Sequence, residues 1–111
     1  MSYPTRRPAM IRLVDRLIAR STAADCTQIV RWRLERIRDL LRAGDMFGTE
    51  RESWDVRSFT SGCEIECTDE TRAAAYERIS HDVVCLAVAA RAERYRREDW
   101  ASKQPRTGTE G

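Results

Sequence analysis

Ser53-Trp54-Asp55-Val56-Arg57-Ser58-Phe59-Thr60, then Ser61-Gly62, then Cys63-Glu64-Ile65-Glu66-Cys67: the reading of this stretch decides the fold. Trp54, Val56 and Ser58 alternate with Asp55, Arg57 and Phe59, and Cys63, Ile65 and Cys67 alternate with Glu64 and Glu66. A period of two places alternate side chains on opposite faces of a strand, and Ser-Gly between two such runs is turn chemistry. The pattern predicts a β-hairpin over 53–67, with strands at about 53–60 and 63–67. Pairing Thr60 with Cys63 sets Ser58 against Ile65 and Val56 against Cys67. The apolar members then share one face, and Asp55, Arg57, Glu64 and Glu66 occupy the other.

Helical periodicity governs the chain on either side. Pro8 suits the start of a helix, and Met10, Ile11, Leu13, Val14, Leu17 and Ile18 form one stripe, which predicts a helix at 9–20. Ser21 or Thr22 is placed to cap a second helix at 23–43, whose stripe Cys26, Ile29, Val30, Leu34, Ile37, Leu40 and Leu41 ends at Gly44. So short a junction makes the two helices antiparallel, with their stripes facing each other. Gly44 to Glu52 is polar, holds two glycines and reads as a loop. Thr68 is the expected cap of a long helix at 69–99, with Asp69 and Glu70 where the helix dipole favours acids. Its stripe is Tyr76, Ile79, Val83, Leu86, Ala87 and Ala90. Val84, Cys85 and Val88 make 83–90 apolar nearly all round, a pattern that calls for cover on two sides. The expected fold is α+β and helix-dominated: two antiparallel helices, a hairpin and a long C-terminal helix in one domain over 1–100. Residues 101–111, with Pro105, Gly108 and Gly111, read as a disordered tail.

At 111 residues the chain is long enough to bury one modest core without disulfides. The longest charge-free run in its helical part, Val83 to Ala90, is far short of the roughly 20 apolar residues of a membrane span. Arg12, Asp15 and Arg16 interrupt the only candidate for a signal-peptide core. Four cysteines without such a signal read as reduced thiols, which predicts a cytoplasmic protein. The net charge is +2, but it is segregated: residues 1–48 carry +5, 49–90 carry −5 and 91–111 carry +2. A dipolar chain of this kind suits self-association, or two faces with different partners.

Three constellations carry candidate function. Trp32 lies opposite the Val30, Leu34, Ile37 and Leu41 stripe and is flanked by Arg33 and Arg36; Trp and Arg dominate binding hot spots. With the acidic face of Glu64 and Glu66, these residues form the expected protein-binding surface. Trp54 is assigned to the core, and Trp100 to a dimer contact or a frayed helix end. Arg31, Arg38 and Arg42 on another flank of the same helix carry the alternative, a DNA-binding regulator. Glu35 and Asp39 interrupt that basic face, and ion pairs within the helix are its commoner meaning.

The third constellation is Cys63-x3-Cys67-x13-His81-x3-Cys85, which resembles the spacing of a C2HC zinc finger and carries a second alternative, a zinc-stabilised module. A regular strand would separate Cys63 from Cys67 by roughly 13 Å, whereas both must lie within about 2.3 Å of one zinc ion. Buried structural cysteines, with no cofactor, are therefore the expectation. His81 and Cys85 on one helical face would also suit a thiolate and its base. No oxyanion motif, phosphate loop or third orienting group accompanies them, so no enzymatic activity is expected. What remains is an interaction module, a homodimer through the second face of the long helix, acting as a regulator or inhibitor that binds another protein or complex. That size class includes phage-encoded inhibitors of host defence complexes.

Overall fold

The computed structural model describes residues 5–104 and replaces the hairpin with a helix; among these residues there is no strand. Four helices follow one another: α1 Arg7–Ala23, α2 Gln28–Arg42, α3 Met46–Glu66 and α4 Glu70–Lys103. Each packs on its sequence neighbour and α4 closes on α1, while the backbones of the diagonal pairs stay apart. Short connections make every neighbouring pair antiparallel, giving an up-down-up-down four-helix bundle. The fold is all-α, and the expected α+β class is corrected accordingly.

The segment read as loop and hairpin is α3, because its buried residues step by three and four: Met46, Thr49, Ser53, Val56 and Thr60. That is the seam of an antiparallel helix pair, written largely in hydroxyls rather than hydrocarbon. Each hydroxyl donates to the carbonyl one turn back. Thr49 Oγ1 reaches Asp45 O at 2.7 Å, Ser53 Oγ reaches Thr49 O at 2.7 Å and Thr60 Oγ1 reaches Val56 O at 2.8 Å. A buried donor satisfied in this way escapes the penalty of an unmade hydrogen bond. The small side chains leave room for the bulkier seam of α4, namely Tyr76, Ile79, Val83, Leu86 and Ala90. Successive alternate residues on a helix are roughly 200° apart. Val56 therefore points inward as expected, whereas Trp54, assigned to the core, is exposed.

The α1–α2 and α2–α3 connections are built alike. Ser21 and Thr22 do not cap a second helix; α1 runs on to Ala23, and their hydroxyls donate back to Ile18 O at 2.8 and 3.1 Å. The Cys26 N–H then donates to Ser21 O (2.9 Å) and the Asp25 N–H to Thr22 O (3.2 Å), with Asp25 at φ +56°. After α2, the Asp45 N–H donates to Leu40 O (2.9 Å) and the Gly44 N–H to Leu41 O (3.0 Å), with Gly44 at φ +77°. These are Schellman turns, closed once by Asp and once by Gly. Asp45 restarts the chain at once, its Oδ1 accepting the Gly48 N–H at 2.8 Å as the N-cap of α3. Asp69, rather than Thr68, caps α4 by accepting the Arg72 N–H at 2.8 Å. Of the expected tail, 101–103 belong to α4 and 105–111 lie outside the described residues.

The core joins Met10, Val14 and Leu17 of α1, Val30, Leu34, Ile37 and Leu41 of α2, Met46 and Val56 of α3, and the α4 seam. Glu93 is buried at the end where α1 begins, taking the Arg6 N–H at 3.4 Å and Arg96 Nη1 at 3.2 Å. No helix among the described residues is long and apolar enough to cross a membrane.

Candidate functional site

The inward stripe of α2 fixes what its outer side must show. With Val30, Leu34, Ile37 and Leu41 fully buried, Ile29 and Trp32 turn outward, and the indole is 55% exposed. Arg33 Nη1 and Arg36 Nε both lie 3.6 Å from the carboxylate of Glu52 on α3, and the Arg33 guanidinium sits 5.4 Å from the Phe59 ring centroid. Glu52 is largely covered, so it holds two cationic heads to one side of the indole. Exposed pairs of this kind contribute at most about 1 kcal/mol each to stability; their effect here is to orient the arginines. The result is an apolar ridge with a positively charged flank.

The acidic surface expected of the hairpin does not exist. Glu64 and Glu66 lie two residues apart on α3, hence on nearly opposite sides of the helix, with Glu64 half-buried and Glu66 exposed at its last residue. The three arginines of the nucleic-acid alternative are on α2, but two are engaged. Arg31 faces Glu35 at 4.0 Å, and Arg38 bridges Asp15 of α1 at 3.2 Å and Glu35 at 3.9 Å. Arg42 is exposed in the last turn.

The four-residue zinc constellation is split by the fold. Cys63 and Cys67 sit at the end of the bundle where α1 passes to α2, near Cys26 and Tyr76, whose hydroxyl accepts the Thr27 N–H at 2.8 Å. Burial pushes the Cys26 thiol up; Arg72 opposes this, and Cys67, Cys63 and Asp25 add to it. Burial, Glu66 and Cys67 raise Cys63. Burial raises Tyr76 as well, against the Thr27 hydrogen bond. His81 and Cys85 lie on the outer side of α4, where the donor atoms of His81, Asp82 and Cys85 come within 4.8 Å of one another.

A second exposed apolar surface lies on the outer face of α4 that the sequence offers to a second copy of the chain, and it takes in Phe47 and Trp54 of α3, which the sequence reading did not place there. Ser61 Oγ meets Ser80 Oγ at 3.0 Å and Glu50 Oε1 meets Arg94 Nη2 at 3.2 Å, two rungs that fix the register of α3 against α4. Trp54 lies between these rungs at the height of Val88. Phe47 and Tyr95 sit at the lower rung, their rings 5.2 and 5.3 Å from the Arg94 guanidinium. Phe47, Trp54, Val88 and Tyr95 are all exposed. On α4 this face follows His81, Cys85, Val88, Ala92 and Tyr95, which step by four and three along its outer side. Between α1 and α4 a shallow groove of about 860 Å³ opens beside Ala19, Ala23, Ala74 and Ala75.

No protein-family model, curated protein or solved structure matches the chain.

Proposed function

We propose that the protein is a recognition module without catalytic chemistry of its own, a regulator or inhibitor that docks another protein or complex against the Trp32 ridge. The observation that carries this reading is the indole itself, held outward on a rigid helix beside Ile29 and a pair of arginines fixed by Glu52. Aromatic and arginine side chains arranged around a dry centre are what binding hot spots are made of. Removing the exposed half of an indole from water contributes on the order of 2 kcal/mol to docking. The free thiols Cys26, Cys63, Cys67 and Cys85 suit a reducing, cytoplasmic setting.

The test is a photo-crosslinking side chain at Gln28, exposed one turn before Trp32, compared with the same group at Arg12 on the exposed side of α1. A discrete adduct at 28 that is absent at 12 is the expected result; identical adducts, or none at either position, would refute the reading. Trp32→Ala must abolish the interaction while far-UV circular dichroism still shows a folded helical chain.

A second surface is assigned to self-association, on the observation that Val88 and Tyr95 remain exposed on the outer seam of α4. Sedimentation should then show a dimer that Val88→Glu converts to monomer. A concentration-independent monomer for the parent chain would remove this part of the proposal.

A further inference from the structure

We propose that His81, Asp82 and Cys85 form a zinc-binding site on the outer side of α4, unrelated to Cys63 and Cys67. His81 and Cys85 are one helical turn apart, which brings their β-carbons to within about 5–6 Å and makes the pair a natural chelate. Asp82 adds a carboxylate, and all three donor atoms lie within 4.8 Å of one another. With zinc bonds of about 2.0–2.3 Å, tetrahedral ligands stand roughly 3.3–3.8 Å apart. Closing on an ion therefore asks about 1 Å of side-chain rotation and no movement of the backbone.

The backbone under the site is held firmly. Val83, Leu86 and Ala87, interleaved with the three donors, are fully buried. The donors themselves are not needed by the core: His81 and Cys85 are exposed. Thiolate, imidazole and carboxylate together suit a borderline-soft divalent ion rather than calcium or magnesium, which take oxygen ligands. As the Zn–S bond forms, the Cys85 thiol gives its proton to solvent, and the fourth coordination position is left to water. Because one chain supplies all three donors, the site stands whether or not α4 pairs with a second copy.

One neighbour opposes binding. Arg78 Nε holds Asp82 Oδ2 at 3.2 Å, and the Asp82 side chain is only 13% exposed. The guanidinium both repels the ion and competes for its third ligand, so removing it should tighten binding. A merely adventitious histidine contact would not respond in that way.

The experiment titrates reduced, chelator-stripped full-length protein with Zn²⁺ against a chromogenic chelator, and with Co²⁺ as the spectroscopic probe. Expected are one ion per chain, a tetrahedral cobalt spectrum with a thiolate charge-transfer band, loss of that band in Cys85→Ser, and tighter zinc binding in Arg78→Gln. Outer-shell partners alone are worth about 10–100-fold in metal affinity, so Cys85→Ser and His81→Ala should each weaken zinc by at least about tenfold. Both positions are exposed, and far-UV circular dichroism is the check that the variants remain folded. Three results would overturn the proposal: no stoichiometric zinc, binding unchanged in Cys85→Ser, or binding lost in Cys63→Ser while Cys85→Ser retains it.

Discussion

Gly62→Ala discriminates between the helix and the hairpin by the sign of its effect. In α3, Gly62 sits one turn before the end of the helix, and nothing lies within 4 Å of where an alanine β-carbon would be. Alanine is favoured over glycine in a helix interior by about 0.8–1.0 kcal/mol. Proximity to the fraying terminus lowers that to about 0.5–1 kcal/mol here. For a domain of this size, 1 kcal/mol moves the melting temperature by about 4–8 °C, so the variant should melt about 2–8 °C higher. At the turn of a hairpin the same residue would need positive φ, and alanine would lower stability by roughly 1 kcal/mol or more. Thermal melts followed by far-UV circular dichroism decide the matter, and a lower melting temperature for Gly62→Ala would refute the assignment of α3. The other two described glycines respond in the opposite sense. Gly44 holds φ +77°, and a β-carbon on Gly48 would stand 2.5 Å from the Asp45 carboxylate that caps α3. Both alanine variants should therefore melt lower.

Further expectations follow from the same geometry. Leu34→Ala empties a fully buried site in the centre of the bundle and should cost about 2–5 kcal/mol in urea denaturation. Trp32→Ala removes the covered half of the side chain as well and should cost about 1–2 kcal/mol in stability, leaving the chain folded while abolishing partner capture. Cys26, Cys63 and Tyr76 hold their protons more tightly folded than unfolded. From about pH 8.5 upward the unfolded thiols ionise first, so stability should fall as pH rises through that range. Melting temperatures between neutral pH and pH 10 measure the slope, which should flatten in Cys26→Ser.

How far the sequence could be read depended on what each helix buries. Tyr76, Ile79, Val83, Leu86, Ala87 and Ala90 announce α4 because the seam is hydrocarbon, and all six are buried as expected. Val30, Leu34, Ile37 and Leu41 do the same for α2. The seam of α3 escapes a hydrophobicity pattern because Thr49, Ser53 and Thr60 are buried with hydroxyls returned to their own backbone. Trp54, Val56 and Ser58 meanwhile imitate a strand over six residues. Trp32 was legible as an outward residue because Val30, Leu34, Ile37 and Leu41 are buried as expected, although Ile29 of the same expected stripe is exposed and Cys26 precedes α2. The Glu64 and Glu66 surface was not, since it rested on a period of two. The split of the cysteines between one end of the bundle and the outer side of α4 is tertiary, and spacing carries no trace of it.

The order in which the helices meet has a consequence for how the chain assembles. The pairs α1–α2, α2–α3 and α3–α4 join neighbours in sequence, whereas α1–α4 joins distant ones along an edge opened by the alanine-lined groove. Local pairings lose little chain entropy on closing, so the three hairpin contacts should form on a microsecond-to-millisecond scale and the ring should shut last. The same edge is then the first to part. Native-state hydrogen exchange should find α1 opening in a sub-global step, while the centre of α4 exchanges only when the whole bundle unfolds.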